Sequence, residues 1–147
     1  MTAIPKLLYQ IKVSEQQISQ LFEERLAISL TRYQLLEELL AHEPCSQKTL
    51  EDLLQIDRAA ITRHMKILEE RGYVQKVRNP KNQREMIVYA TDKAKRDLSL
   101  SPPEHHLQIK EEMEHILSDD EKVELSRLLN KLVNGLEDIE YLKGEKN

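Results

Sequence analysis

Tryptophan is absent, phenylalanine and cysteine occur once each, and there are only three glycines and five prolines in 147 residues. Such scarce turn material argues against an all-β fold and, beside a charged fraction of 33%, points to a mostly helical protein. The lone thiol, Cys45, cannot close an intramolecular disulfide, which agrees with a reducing compartment. The longest apolar run, Met86–Ala90, falls far short of the ~20 residues that span a bilayer. No basic segment followed by an apolar stretch opens the chain, so the expectation is a soluble, unexported, cytoplasmic protein with no membrane partner. Neither a Gly-rich phosphate loop, nor a nucleophile elbow, nor HExxH is present, and we expect neither enzymatic activity nor a cofactor. A chain of this length holds one compact domain, or a small domain with helical extensions.

The net charge of −4 is unevenly placed. Residues 55–96 carry 11 Lys or Arg against 5 Asp or Glu, a balance of +6, and the remainder carries −10. Phosphate attraction depends on potential within a Debye length of about 8 Å, so a basic centre between acidic arms is compatible with nucleic acid.

Apolar residues from Ile4 to Leu26 recur at the helical period, with Pro5 in the first turn, where its missing N–H costs nothing. A second helix is expected to open at Thr31, with Gln34 completing a capping box and Leu30 and Leu35 forming a hydrophobic staple. Its apolar face is Leu35, Leu36, Leu39 and Leu40, and Glu43-Pro44 ends it. Ser46 caps a short helix with Leu50, Leu53 and Leu54 inward. Asp57 caps the next, which buries Ile61, Met65 and Leu68 and stops at Gly72. Two short helices so joined read as helix-turn-helix.

Beyond Gly72 the period falls to two. Tyr73–Arg78 and Glu85–Ala90 read as a hairpin with a charged tip at Asn79–Arg84, which must pack on the helices to be stable. Helix resumes at Asp92 and is broken or bent near Ser101-Pro102-Pro103. A further stripe follows at Leu107, Met113, Ile116 and Leu117, then a capping box from Ser118 to Glu121. The last helix carries Val123, Leu125, Leu128, Leu129, Leu132, Val133, Leu136, Ile139 and Leu142, more apolar surface than an isolated helix leaves in water.

On the second helix of the helix-turn-helix, the face opposite Ile61, Met65 and Leu68 displays Arg58, Ala59, Thr62, Arg63 and Lys66. A major groove admits such a helix: an arginine can grip guanine bidentately, Thr62 can bond a base or phosphate, and Ala59 can meet a thymine methyl. Ser46, Gln47 and Lys48, opening the preceding helix, suit a phosphate. Lys81 and Arg84 at the hairpin tip can follow the backbone into the minor groove. A Lys/Arg cluster is often merely solvated; here its helix-turn-helix spacing beside a basic hairpin favours DNA.

The run from Leu54 through Asp57, Arg63 and Gly72 to Arg78, with Asn82-Gln83-Arg84 and Val88-Tyr89-Ala90-Thr91, resembles the MarR family of bacterial transcription regulators. The order of elements extends that resemblance over nearly the whole chain. It departs in the wing, where Asn82-Gln83-Arg84 replaces the family's Asp-x-Arg, and at Ala90-Thr91 and Ala94, which replace Leu-Thr and a glycine. The resemblance implies a winged helix-turn-helix, mainly α with a small β-hairpin wing (α+β). It divides the chain into an N-terminal dimerisation helix (1–30), a DNA-binding lobe (31–100) and C-terminal dimerisation helices (101–147). It further implies a homodimeric repressor on a palindromic operator of double-stranded DNA, half-sites about 34 Å apart, released by a small-molecule effector between lobe and dimerisation helices. The effector-binding residues stay unknown.

Two other readings stay open. A winged helix can serve as a protein–protein interaction module. A redox- or metal-responsive regulator would use Cys45 or His105 and His106, but no second cysteine resolves Cys45, and adjacent histidines on a helix point about 100° apart and match no metal motif. The acidic pairs Glu37-Glu38, Glu69-Glu70 and Glu111-Glu112 read as solvated helix faces.

Overall fold

The computed structural model describes residues 3–145, with side chains described through residue 139. Two compact units follow one another, Met1–Leu107 and Gln108–Asn147. In chain order the elements are α1 (Ile4–Leu21), α2 (Leu30–His42), β1 (Cys45–Ser46), α3 (Gln47–Leu54), α4 (Arg58–Glu70), β2 (Val74–Asn79), β3 (Asn82–Ala90), α5 (Asp92–Lys95), α6 (Glu104–Glu114) and α7 (Asp119–Glu145). Wider π-helical turns extend α1 through Phe22–Leu26 and α5 through Arg96–Leu100. None of the described helices is long and apolar enough to cross a membrane.

Local signals place most boundaries. Ser46 accepts from Thr49 N at 3.0 Å and Asp57 from Ala60 N at 2.8 Å, so both expected caps close their helices. Ser118 and Glu121 form the reciprocal capping box: Ser118 N donates to Glu121 Oε1 at 2.9 Å and Glu121 N to Ser118 Oγ at 3.2 Å. α4 ends in a Schellman motif, with Tyr73 N donating to Leu68 O and Gly72 N to Glu69 O. Gly72 sits at φ +80°, and a Cβ there would meet nothing nearer than Lys93 Cδ at 3.7 Å. Conformation rather than space therefore demands glycine.

Five expectations need correction. α2 starts earlier than the Thr31 cap: Ser29 is the extended residue (φ −68°, ψ 151°), and its Oγ accepts from Arg32 N at 3.2 Å. Arginine, not glutamine, then occupies the third helical position, leaving half a capping box. Leu30 lies inside the helix and 38% exposed, not at the flanking position a staple with Leu35 requires. Leu53 is exposed while Leu50 is fully buried, because a two-turn helix turns only a narrow stripe inward. The hairpin strands run further than expected, to a two-residue tip at Pro80-Lys81, with a bulge between Arg78 and Asn79. Nor is the sheet two-stranded: β1 pairs antiparallel with β3, Cys45 opposite Val88 and Ser46 opposite Ile87, giving the order β1-β3-β2.

The core of the first unit is one cluster. Leu35, Leu36 and Leu39 of α2, Leu50 of α3, Ile61, Met65 and Leu68 of α4, and Val88 of β3 are all at most 1% exposed. Val74, Ala90 and Ala94 complete it, so the wing is rooted in the same core as the helices. Along α1 no residue is buried; Phe22, Leu26 and Ile28 attach it, with Phe22 edge-on to Tyr33 at 5.8 Å. In the second unit α7 leaves Val123, Leu125, Leu128, Leu129, Val133, Leu136 and Ile139 exposed. Leu142 lies outside the described side chains.

Candidate nucleic-acid interface

Burying Ile61, Met65 and Leu68 necessarily turns the opposite face of α4 to solvent. Arg58, Ala59, Thr62, Arg63 and Lys66 are all exposed there, and among the described residues no carboxylate pairs with Arg58, Arg63 or Lys66. Lys81 and Arg84 in the wing are likewise exposed and unpaired. Elsewhere many cations are engaged: Lys76 with Glu69 at 3.7 Å, Lys95 with Glu43 at 3.5 Å, Arg127 with Glu124 at 2.6 Å.

A half-open cleft of about 520 Å³ joins α3, the start of α4 and the wing. Gln47, Lys48, Arg58 and Arg84 line it together, so four candidate contacts from three elements converge. Ala59, Thr62, Arg63 and Lys66 lie on the open face of α4 and Lys81 at the hairpin tip, off the cleft. Its walls also carry the carboxylates of Glu51, Asp52 and Glu85 and of the capping Asp57, which no local pattern of residues assigns to one site. Asp52 pairs with Lys48 at 3.1 Å with both side chains mostly exposed, a contact worth at most about 1 kcal/mol that a phosphate can displace.

Three side chains are more constrained than their types suggest. Ser46 Oγ is occupied by its cap and by Thr49 Oγ1 at 2.9 Å. Thr62 Oγ1 donates to Arg58 O at 2.8 Å and accepts from Gln47 Nε2 at 3.3 Å, so in this rotamer it offers a DNA group only a lone pair. The same bond ties α3 to α4 and steers the Gln47 amide. In the wing, Asn82 Oδ1 accepts from the backbone N of Arg84 at 3.1 Å; the neutral side chain fixes the turn and leaves the guanidinium unheld.

Behind the exposed face, His64 Nδ1 lies 3.4 Å from Arg32 Nη1 of α2. Burial, then the charges of Arg32 and Arg63, push its pKa below the ordinary histidine value. The neutral ring can accept from Arg32, whose Nε is buried without a hydrogen-bond partner among the described residues. Burial, then Glu43, raises the Cys45 thiol above its usual pKa, the opposite of what a reactive thiolate needs. His105 and His106 meet edge-on at 4.2 Å, but no metal-binding group of three or more His, Cys, Asp or Glu occurs among the described residues.

Comparison with known proteins agrees with this arrangement. The sequence pattern of the MarR family matches residues 28–86. The uncharacterized HTH-type transcriptional regulator YdgJ of Bacillus subtilis is 31% identical over 135 residues, 92% of this chain and 82% of YdgJ. Among solved structures, a MarR mutant from E. coli complexed with operator DNA superposes with a TM-score of 0.70 at 24% identity, covering 88% of this chain and 94% of that one. The PcaV regulator from Streptomyces coelicolor, in complex with its natural ligand, gives 0.68 at 21%, covering 91% and 98%. The last two share the fold; the match to YdgJ carries the kinship. A winged helix-turn-helix with an exposed basic second helix, rooted in one core with its wing and matched along nearly its whole length, makes this chain a member of the MarR family of DNA-binding transcription regulators, which are not enzymes.

Proposed function

We propose that the protein is a homodimeric repressor that binds a palindromic operator through α4 in the major groove and the wing on the flanking backbone, and that a small ligand releases it. The observation that carries the DNA reading is the row of unpaired cations: Arg58, Arg63 and Lys66 on one helix face, with Lys81 and Arg84 on the wing. Cations with no protein partner are those whose neutralisation of phosphate releases counterions at no internal cost. Arg63 and Arg58 suit guanine edges, Ala59 a thymine methyl, and Lys48 a phosphate once Asp52 yields.

A second copy of the chain is supported by the uncovered apolar row on α7, which a symmetric partner would bury by presenting the same row. Two recognition helices on one rigid dimer then suit half-sites about 34 Å apart. A ligand weakens binding only by favouring a dimer geometry in which that spacing is wrong.

The test is a mobility-shift titration against a duplex that the wild-type chain selects from a random pool, repeated over a range of salt. Wild type should bind with a steep salt dependence. Arg63→Ala with Arg84→Ala should lose about 100-fold and flatten the salt slope by about two. Binding that survives the double substitution unchanged, with no salt slope, would instead favour a protein–protein interaction module.

A further inference from the structure

The end of α4 remote from its cap is held by contacts that the DNA-facing row does not use. Lys93 Nζ donates to Arg71 O at 2.8 Å, and Thr91 Oγ1 to Gly72 O at 2.6 Å, so residues from beyond the wing satisfy the free carbonyls at the helix end. A third contact runs outward: Arg71 Nη2 donates to Ala27 O at 2.7 Å. Tyr73 is flanked by both cations, Lys93 Nζ at 4.8 Å and Arg71 Cζ at 6.0 Å from the ring centroid, and its hydroxyl donates to Asp97 Oδ2 at 3.3 Å. Three chain segments thus meet: the turn that ends the first helical stretch, the end of α4, and α5.

Ala27 is left-handed (φ 57°, ψ 25°), a conformation that costs a residue with a Cβ about 1 kcal/mol and persists when its surroundings impose it. That residue also stands at the base of the first helical stretch, where α1 joins the rest of the unit. The 18 residues of α1 bury nothing, and at 1.5 Å per residue the helix extends about 27 Å from its base. A change in tilt of about 10° at the base moves its far end by about 5 Å. The apolar anchors Phe22, Leu26 and Ile28 hold that base, Phe22 edge-on to Tyr33. A charge-assisted hydrogen bond adds a directional contact to them.

We propose that Arg71 is a positioning residue for DNA binding: by tying the end of α4 to the Ala27 carbonyl it sets the angle between the recognition helix and α1, without touching DNA itself. The proposal rests on the DNA-binding dimer argued above and adds α1 to it, since Ile4, Leu7 and Ile18 stay exposed on one face of that helix. A freed joint lets the two recognition helices sample many separations. Affinity for a duplex of fixed half-site spacing then falls, while sequence-independent attraction to phosphate, which tolerates many poses, does not.

The experiment uses the full chain and two probes: the duplex selected by wild type from a random pool, and a scrambled duplex of the same length and composition. Fluorescence anisotropy is read from about 50 to about 300 mM salt. Arg71→Ala is expected to weaken the selected duplex about tenfold, to leave the scrambled one within about twofold, and to keep the salt slope. Arg71→Lys, which retains a donor for Ala27 O, should recover most of the loss. Ala27→Gly loosens the same joint from the other side while relieving its backbone, so it tests the idea in a variant that folds at least as well; a loss of about threefold on the selected duplex alone is expected. Equal weakening of both duplexes by Arg71→Ala, with a slope reduced by about one, would make Arg71 a phosphate contact and overturn the proposal. An unchanged ratio of the two affinities in both Arg71→Ala and Ala27→Gly would overturn it as well. Failure of wild type itself to select any duplex is distinguishable from these, since it removes the DNA-binding reading and the joint with it.

Discussion

α4 and α7 are both amphipathic, and they solve opposite problems. α4 hides Ile61, Met65 and Leu68 completely and shows solvent three cations without carboxylate partners among the described residues. α7 pairs two of its cations, Lys122 with Glu114 and Asp119, and Arg127 with Glu124, while Val123, Leu128, Val133 and Ile139 stay uncovered. What each leaves unsatisfied names its partner: free positive charge asks for phosphate, and a free apolar row asks for another apolar surface.

The sharpest way to break this contrast is to put charge on the apolar row. Leu129→Asp with Leu136→Asp, seven residues apart on one face, should leave the chain monomeric at about 10 μM by sedimentation and weaken the selected duplex at least about 100-fold. A variant that stays dimeric would show that α7 is not the covering surface. On α4 the matching change is internal. Leu68→Ala should destabilise the first unit by about 2–5 kcal/mol in urea titration, since that side chain is fully buried among its neighbours. A cost below about 1 kcal/mol would mean the core collapses around the gap.

Smaller effects probe how α4 is held. Asp57→Ala removes the bond to Ala60 N and should cost about 1 kcal/mol, with Asp57→Asn recovering most of it. The smallest concerns pH. The folded pKa of His64 is depressed, so the unfolded chain takes up the proton first. Its neutral form therefore contributes stability fully above about pH 6.5, and that contribution is lost as pH falls through and below that value. His64→Gln keeps an acceptor for Arg32 and should flatten the drop in melting temperature between about pH 7 and pH 5 by a few degrees, roughly. An identical pH profile in the variant would remove His64 from the account.

Where a boundary depends on a few adjacent residues, the chain is readable directly. Ser46, Asp57, the Ser118–Glu121 box and Gly72 act within one helical turn, so their roles appear in the string of residues. Thr31 misled because two hydroxyl residues compete for one cap; Ala27 turning left-handed and Ile28 entering the core decided for Ser29. β1 was invisible because a two-residue strand has no period, and its pairing with Val88 and Ile87 spans more than forty residues. Within the interface, the cationic row followed from the spacing of the buried positions, whereas the cleft carboxylates and the Gln47–Thr62 bond did not.

By itself the sequence determined a mainly helical chain, the positions of α3, α4 and the wing, the +6 balance of residues 55–96 and the apolar excess of the last helix. Each of these follows from local period, local capping or simple composition. Only the tertiary structure decided which of those cations are free, that the wing and α4 share one core, and that the end of α4 meets Ala27, Thr91 and Lys93. Those facts depend on groups distant in the chain coming within hydrogen-bond reach, and no local pattern of residues encodes such a distance.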